Sequence, residues 1–341
     1  MEFIKPDINL DFIGKRRIAF VFSIALVAVT IVSLVMHGGP KYGIDFAGGT
    51  VILVKVPGSD PGGIKDALGT LGLGDATVQR FGPVEDEEYR IHLSVGEQEE
   101  DTSQQVREAL VSRFGDTVIV ESTEMVGPQV GKDLRQKAML AMFFALLFIT
   151  VYISGRFELK WLPSAVMAAV VGGAAWVLNE FGVPLSIIMA VVVVIAIAGF
   201  FVLRLKFAMG AIVALIHDVT ITVGVFSLFG KEFNLPIIAA LLTIIGYSLN
   251  DTIIVFDRIR ENNRKHNRLP LDAVINRSIN ETLSRTVLTS LTTLVVVISL
   301  YALGGGIIHD FAFALLVGVM IGTYSSVFVA SPILLAWRER V

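Results

Sequence analysis

From Arg135 to the C-terminus the chain is almost continuously apolar, and the charges that interrupt it cut it into runs close to the length a bilayer requires. A helix rises about 1.5 Å per residue, so about 20 residues cross a hydrocarbon core about 30 Å thick. Spans are expected near 137–154, 161–179, 184–203, 207–229, 234–256, 284–303 and 310–336. An earlier run, Ile18 to Met36, follows a polar arm of residues 1–17 that ends in Lys15-Arg16-Arg17. It is longer than a signal-peptide core and lacks a small-residue cleavage site, so it reads as an uncleaved first span, the eighth in all. With 54% hydrophobic and only 17% charged residues, and a mean hydropathy of +0.70, the whole chain falls outside the range of soluble globular domains.

Charge sets the orientation. The interruptions Arg156/Lys160, Arg204/Lys206, Arg258/Arg260/Arg264/Lys265/Arg268 and Arg338/Arg340 are basic, whereas Asn179-Glu180, Lys231-Glu232 and His309-Asp310 are weakly charged. The two kinds alternate, and an eight-span arrangement with both termini in the cytoplasm places every basic connection inside. A formal net charge of -3 excludes a broadly basic nucleic-acid binder, and no Lys/Arg-rich block with interleaved aromatics suggests one locally. Cysteine is absent, and five scattered histidines include no HExxH spacing. Metal, cofactor and thiol chemistry are not expected, and an enzyme is a weak reading.

Between Gly38 and Asp133 the composition is that of a water-soluble domain, which the inward-anchored first span places on the extracytoplasmic side. Acids such as Glu85 to Glu88, Glu97, Glu99, Glu100 and Asp101 outnumber its bases. Periodicity predicts a strand over Thr50–Val56, a helix over Pro61–Leu71, strands over Thr77–Phe81 and Tyr89–Val95, a helix over Ser103–Phe114 and a strand over Thr117–Met125. Turn signals stand at Gly58 to Gly63 and at Gly82-Pro83. The order βαββαβ is that of a ferredoxin-like unit. The expected fold is therefore an α-helical polytopic membrane protein with one extracytoplasmic α+β domain: arm 1–17, first helix 18–36, ferredoxin-like domain 38–133 and helix bundle 135–341. In the longest cytoplasmic connection, 257–283, the spacing of Leu271, Val274, Ile275, Ile279 and Leu283 predicts an amphipathic helix at the membrane surface, feeding into the next span.

Three ionisable residues stand within or at the edge of spans: Asp218, Asp251 and Arg285. A carboxylate in hydrocarbon costs about 3 kcal/mol on insertion scales, so it must face protein or water. Asp251 runs inward and Arg285 outward across one cytoplasmic turn, which puts both near the cytoplasmic side at comparable depth. Tyr247 lies four residues before Asp251, Asn250 four after Gly246, and Thr289 four after Arg285, so each charge has polar neighbours on its helical face. Asp251 facing a movable Arg285 is suited to binding and releasing a proton; the competing reading is a static ion pair that fixes helix packing. Asp218 is equally readable as a hydrogen-bonded packing residue beside His217 or Thr222. The His217-Asp218 dipeptide lacks the further ligands of a phosphohydrolase. Asp257, Arg258 and Arg260 read as an interfacial charge cluster, and Gly318-Val-Met-Ile-Gly322 as a helix-packing face.

These residues resemble a known family. Gly43-Ile-Asp-Phe-Ala-Gly-Gly-Thr50 is similar to the Gly-x-Asp-Phe-x-Gly-Gly-Thr motif of the SecD/SecF export proteins, with Gly43, Asp45, Phe46, Gly48, Gly49 and Thr50 at the matching positions. Ala211–Val219, Gly246–Asn262 and Asn280–Thr293 match in order, and Tyr-Ser-Leu-Asn-Asp at 247–251 is the form of the SecF side of the family. The resemblance implies a half-transporter of the resistance-nodulation-division type in the bacterial inner membrane. It would pair with SecD and use the proton motive force to promote translocation and release of exported, unfolded polypeptides. The implied partners are the channel of SecY, SecE and SecG, with YajC, besides membrane lipids; Asp251, Arg285 and, less clearly, Asp218 match the proton pathway. The alternatives are a proton-coupled small-molecule or lipid exporter of the same superfamily, and a structural factor that stabilises the export channel. The family has six spans. Roughly 48 extra residues, the offset between Arg156 and Arg204, carry the two spans 161–179 and 184–203 joined by Asn179–Pro184.

Overall fold

The computed structural model describes residues 8–73, 76–81, 84–93, 102–183, 185–266 and 268–336. The first seven residues, Gly82-Pro83, the acids Glu97, Glu99, Glu100 and Asp101, Pro184, Arg338 and Arg340 lie outside the described residues.

Helix α1 (Arg16–Met36) leads into a short extended segment and a one-turn helix α2 (Ile44–Ala47) formed by the glycine motif. The outer domain follows as β1 (Gly49–Lys55), α3 (Pro61–Gly69), β2 (Thr77–Phe81), β3 (Glu88–Leu93), α4 (Thr102–Phe114) and β4 (Ile119–Val126). The sheet order is β2-β3-β1-β4 with every pair antiparallel, the ferredoxin-like topology that the βαββαβ pattern predicts. Strand β1 is central, with Thr50 opposite Leu93 on one side and Met125 on the other. On one face Ile52, Val54, Ile91 and Leu93 pack against Ile64, Leu68, Val106 and Leu110 of the two helices. Helix α3 starts where Asp60 accepts the Gly63 N–H at 2.9 Å with Pro61 in the first turn. The opposite face of the sheet looks toward the bundle.

The bundle consists of α5 (Pro128–Glu158), α6 (Trp161–Glu180), α7 (Leu185–Val202), α8 (Lys206–Leu228), α9 (Leu235–Lys265), α10 (Leu271–Leu303) and α11 (Gly306–Ser325). The last continues through a π-helical turn, Ser326–Ala330, to Ala336. With α1, seven helices among the described residues are long and apolar enough to cross a membrane; α7 contributes the shorter apolar stretch Val191–Val202. Helices α8 and α11 are the most buried, whereas α6 is mostly exposed. The small-residue face of α11 seats on α9: a Cβ at Gly318 would overlap Ile244, and one at Gly322 would come within 2.9 Å of the Ser248 Cβ.

Two features of the cytoplasmic side depart from the sequence expectation. No separate surface helix precedes the sixth long span: residues 271–303 form one continuous helix of 33 residues. Val274, Ile275 and Ile279 are buried in protein, because α9 runs on to Lys265 and covers them together with the N-terminal arm. That arm is strapped to α10 by side-chain amides. Asn280 Oδ1 accepts the Leu10 N–H at 2.8 Å, Asn276 Oδ1 accepts the Phe12 N–H at 2.9 Å, and both amides donate to the Leu10 carbonyl.

The hairpin α6–α7 leaves its flanking helices in contact. Glu158, at the end of α5, accepts the Phe207 N–H at the start of α8 at 3.0 Å. Lys160 donates to the carbonyls of Leu203 and Arg204 at 2.5 and 3.2 Å, closing the base of the hairpin.

Candidate functional site

A polar layer crosses the middle of α8, α9, α10 and α11. Its best-partnered member is Asp218, fully buried on α8. One oxygen lies 2.9 Å from His217 Nδ1, and the other accepts Ser248 Oγ of α9 at 2.6 Å and Ser325 Oγ of α11 at 2.7 Å. The close approach of α11 to α9 at Gly322 is what brings the two serines to one carboxylate. The adjoining π-helical turn is of the kind that recurs at functional sites. His217 stacks on Tyr324, whose hydroxyl donates to the Ala19 carbonyl and meets Ser23 Oγ of α1, while His217 Nε2 is buried without a partner.

Asp251 sits one helical turn after Ser248 on the same buried face of α9 and is 1% exposed. Its position contrasts with that of Asp218: Oδ2 has no hydrogen-bond partner. Arg285 acts on it through space and Ser290 of α10 lies against it, but no ion pair within 4.0 Å joins Asp251 to Arg285 among the described residues. Arg285 itself is exposed on α10. The α10 side chains turned into the layer are its neighbours, Thr286, buried with an unpartnered hydroxyl, and Ser290. Ser290 meets Thr323 Oγ1 of α11 at 2.7 Å and accepts the Tyr247 hydroxyl at 3.3 Å.

Of the residues singled out from the sequence, Asp218, Asp251 and Tyr247 thus meet in this layer. Asn250 is exposed on the far side of α9, and Thr289 bonds back to the Arg285 and Thr286 carbonyls of its own helix. His217 stands beside Asp218 as the sequence suggested, and Ser248, Ser290, Thr323 and Ser325 join the layer without having been placed there from the sequence. Ser248 had a signal, since it lies three residues before Asp251 within the Tyr247–Asp251 motif; the others are common span residues that only the packing selects.

The glycine motif is at the outer end of the same helix. Asp45 accepts the Leu235 N–H at 2.8 Å, in the first turn of α9, where Asn234 accepts the Ile237 N–H as the N-cap. Gly43 N donates to Phe233 O, and Phe233 N to Lys41 O, both at 2.7 Å. Phe46 is buried among Phe226, Phe233 and Ile237. Gly48 and Gly49 need their glycines: φ is +76° and +123°, and a Cβ would come within 2.9 Å of Pro128 Cα at the first and 2.6 Å of Leu93 O at the second. Beside the motif Glu232 is 7% exposed and faces Lys41 Nζ at 3.0 Å and His92 Nε2 of β3 at 3.1 Å. The histidine Nε2 lies close to the carboxylate but is not aligned for a hydrogen bond. Burial pushes the Glu232 carboxyl up; His92 and Lys41 outweigh it and hold it down at about 2.

Comparison with known proteins assigns the chain. Residues 106–195 and 177–340 match the family described as protein export membrane protein SecD/SecF, C-terminal, and residues 34–56 match the SecD/SecF GG motif. The chain belongs to the SecD/SecF family. It is 39% identical over 335 residues to a protein translocase subunit SecF of Calditerrivibrio nitroreducens, covering 97% of this chain and 95% of that one. It is 43% identical over 345 residues to one of Magnetococcus marinus, covering 98% and 94%. Among solved structures it resembles SecDF, a translocon-associated membrane protein from Thermus thermophilus, with a TM-score of 0.78 and 33% identity over 99% of this chain. A SecDF structure in a super-membrane-facing form fits with a TM-score of 0.61 at 32% identity. The chain spans 40% of the length of the first SecDF chain, so it corresponds to one part of that longer protein. Family membership and the long apolar helices together make this a multi-pass inner-membrane protein of the SecD/SecF type.

Proposed function

We propose that this chain is a subunit of the bacterial Sec protein-export machinery that pairs with a SecD subunit and draws on the proton motive force through Asp251. The observation that carries the reading is the contrast between two carboxylates on one buried layer. Asp218 has all its bonds made, while Asp251 holds an unpartnered oxygen in the interior of a membrane bundle, with Arg285 near enough to act on it but not tied to it. A buried carboxylate with an open oxygen, and a nearby guanidinium that is not bonded to it, has two accessible protonation states, and hence two arrangements of the helices that carry them. Thr286, His217 and Asp251 each leave a buried polar atom unpartnered in this layer, which favours a hydrated route along it.

The outer domain, bonded to the far end of α9, is on the side where an exported polypeptide emerges from the channel formed by SecY, SecE and SecG, with YajC as a further partner. The relatives' names and the SecDF likeness favour export of polypeptides over export of small molecules or lipids. Asp251→Asn, in cells that carry this protein as the sole copy, is expected to abolish gradient-dependent export with the protein still present in the membrane. Export that still follows the gradient in that variant would sink the proton-binding reading.

A further inference from the structure

The seam between α5 and the hairpin α6–α7 is not closed by side chains. A cavity of about 220 Å³ lies in it, floored by Phe143 of α5 and by Ile188 and Val192 of α7, all three buried. From Gln136 to Phe144 this slot runs about 12 Å along α5, at about 1.5 Å per residue. That is close to the depth of one leaflet, half of a hydrocarbon core about 30 Å thick. On α6 the wall includes Gly172, where a Cβ would meet only Leu147 Cδ1, at 3.8 Å, so the helices are not in tight contact there. An apolar slot does not hold water, and left empty it forfeits the contacts of every atom that lines it. A helix is about 10 Å across and cannot enter, whereas a single hydrocarbon chain can.

The polar groups of the slot stand at its outer mouth. Gln136 of α5 and Asn179 of α6 line it there, and neither side-chain amide has a hydrogen-bond partner among the described residues. Trp176, largely exposed on the same wall, occupies the level of an interfacial aromatic. Lys132 lies one turn outward from Gln136 on the same face of α5. It is exposed, and no ion pair within 4.0 Å holds it among the described residues. Asp133 beside it accepts Gln129 Nε2 at 3.2 Å.

We propose that this slot is a phospholipid site of the outer leaflet. One acyl chain fills the space between α5, α6 and α7, the ester oxygens accept from the Gln136 and Asn179 amides, and the phosphate pairs with Lys132. Cation, amides, indole and hydrocarbon follow one another down the slot in the order in which a phospholipid presents phosphate, esters and chain. A second copy of this protein would offer side chains to the rim but nothing thin enough to reach Ile188 and Val192. The lipid thus completes the seam that joins the hairpin to α5. The site shares no residue with the layer around Asp251, and its occupancy is read without export, so it stands or falls apart from the proton-binding reading.

Two single-tryptophan proteins test it. Trp161→Phe with Trp337→Phe keeps Trp176 at the slot, and Trp176→Phe with Trp337→Phe keeps Trp161, exposed at the other end of α6, as a reporter of bulk lipid. Each full chain is reconstituted in vesicles of digalactosyl diacylglycerol, a bilayer lipid without phosphate, carrying increasing fractions of phosphatidylglycerol brominated in mid-chain. Bromine quenches a tryptophan that it touches. Trp176 is expected to reach half-maximal quenching at about one-fifth of the fraction that Trp161 requires, the worth of one lysine beside an anionic lipid. Lys132→Gln should return Trp176 to the Trp161 curve, and so should Gly172→Leu, which fills the slot. Gly173→Leu, next to the slot but not in its wall and with nothing within 4 Å of its Cβ, should leave the excess intact. Trp176 and Trp161 on one curve, or an excess that survives Lys132→Gln or Gly172→Leu, overturns the proposal. Trp176 shielded from brominated lipid at every fraction would mean that a second copy covers the slot, and overturns it as well.

Discussion

Two aspartates of one buried layer, Asp218 on α8 and Asp251 on α9, one turn after the Ser248 that binds Asp218, are held by opposite means, and that difference predicts opposite responses to the same substitution. Asp218 takes two serine hydroxyls and the His217 ring. Asp218→Asn puts an N–H₂ where an acceptor is required, and the thermal stability of the purified protein is expected to fall by about 1–3 kcal/mol. Asp251→Asn removes a charge whose Oδ2 has no partner, so it should leave stability equal or slightly raised while export is lost. Glu232 offers a pH test outside the membrane. Its carboxyl titrates at about 2 in the folded protein against an ordinary 4.5, so the folded state is favoured above the ordinary value and loses that advantage as pH falls toward 2. The shift corresponds to about 3 kcal/mol. Glu232→Gln should be less stable than the parent at neutral pH, and the two melting curves should converge as pH falls from about 4.5 toward 2. A constant gap across that range would show that Lys41 and His92 do not hold the carboxylate.

At the level of elements, the chain's helices were readable because a bilayer fixes their length and their basic ends fix their direction, and the strands of the outer domain because alternation fixes their faces. The route of α10 was not readable in this way. The apolar stripe from Leu271 to Leu283 specifies a buried face, but whether lipid or protein covers it depends on how far α9 continues and on where the arm lies, and both are tertiary facts. The same limit applied to the site. An acid in an apolar run declares itself, as Asp218 and Asp251 do, whereas Ser290, Thr323 and Ser325 look like many serines and threonines of membrane helices until packing aligns them. Arg285 shows the limit for a long side chain, since its position on the helix leaves open whether the guanidinium turns inward or out. The glycine pair of α11 was readable as a packing face, and its partner can now be named. Gly318→Ala should force Ile244 aside at a cost of about 1–3 kcal/mol, and Ile244→Val or Ile244→Ala in the same protein should recover part of it. The coupling is measurable as a double-mutant cycle on unfolding in detergent, and additive costs would mean that the two helices do not pack through this pair.

At the scale of the molecule, we propose that the hairpin α6–α7 is an appended pair of spans and not a part of the working bundle. An even number of added spans leaves every later helix in its original direction, so the insertion costs nothing in topology. The two ends it separates still bond as though joined: Glu158 receives the Phe207 N–H across the gap, and Lys160 reaches the carbonyls of Leu203 and Arg204. What the hairpin covers is apolar. Met167, Val171, Ile188 and Val192 pack beside Phe143 of α5, and lipid chains can replace them there because hydrocarbon is as apolar as the side chains it would displace. Among the described residues, no member of the layer around Asp218 and Asp251 comes from α6 or α7. Removing residues 161–202 and joining Lys160 to Leu203 through two glycines should therefore give a protein that inserts, keeps the orientation of α8 to α11 and supports gradient-dependent export in cells that have no other copy. Cysteine accessibility at Lys231 and at Lys265 reads the orientation, and export of a reporter reads the function. A shortened protein that inserts correctly but no longer exports would instead make the exposed face of α6, with Leu162, Val166 and Val170, a contact that export requires.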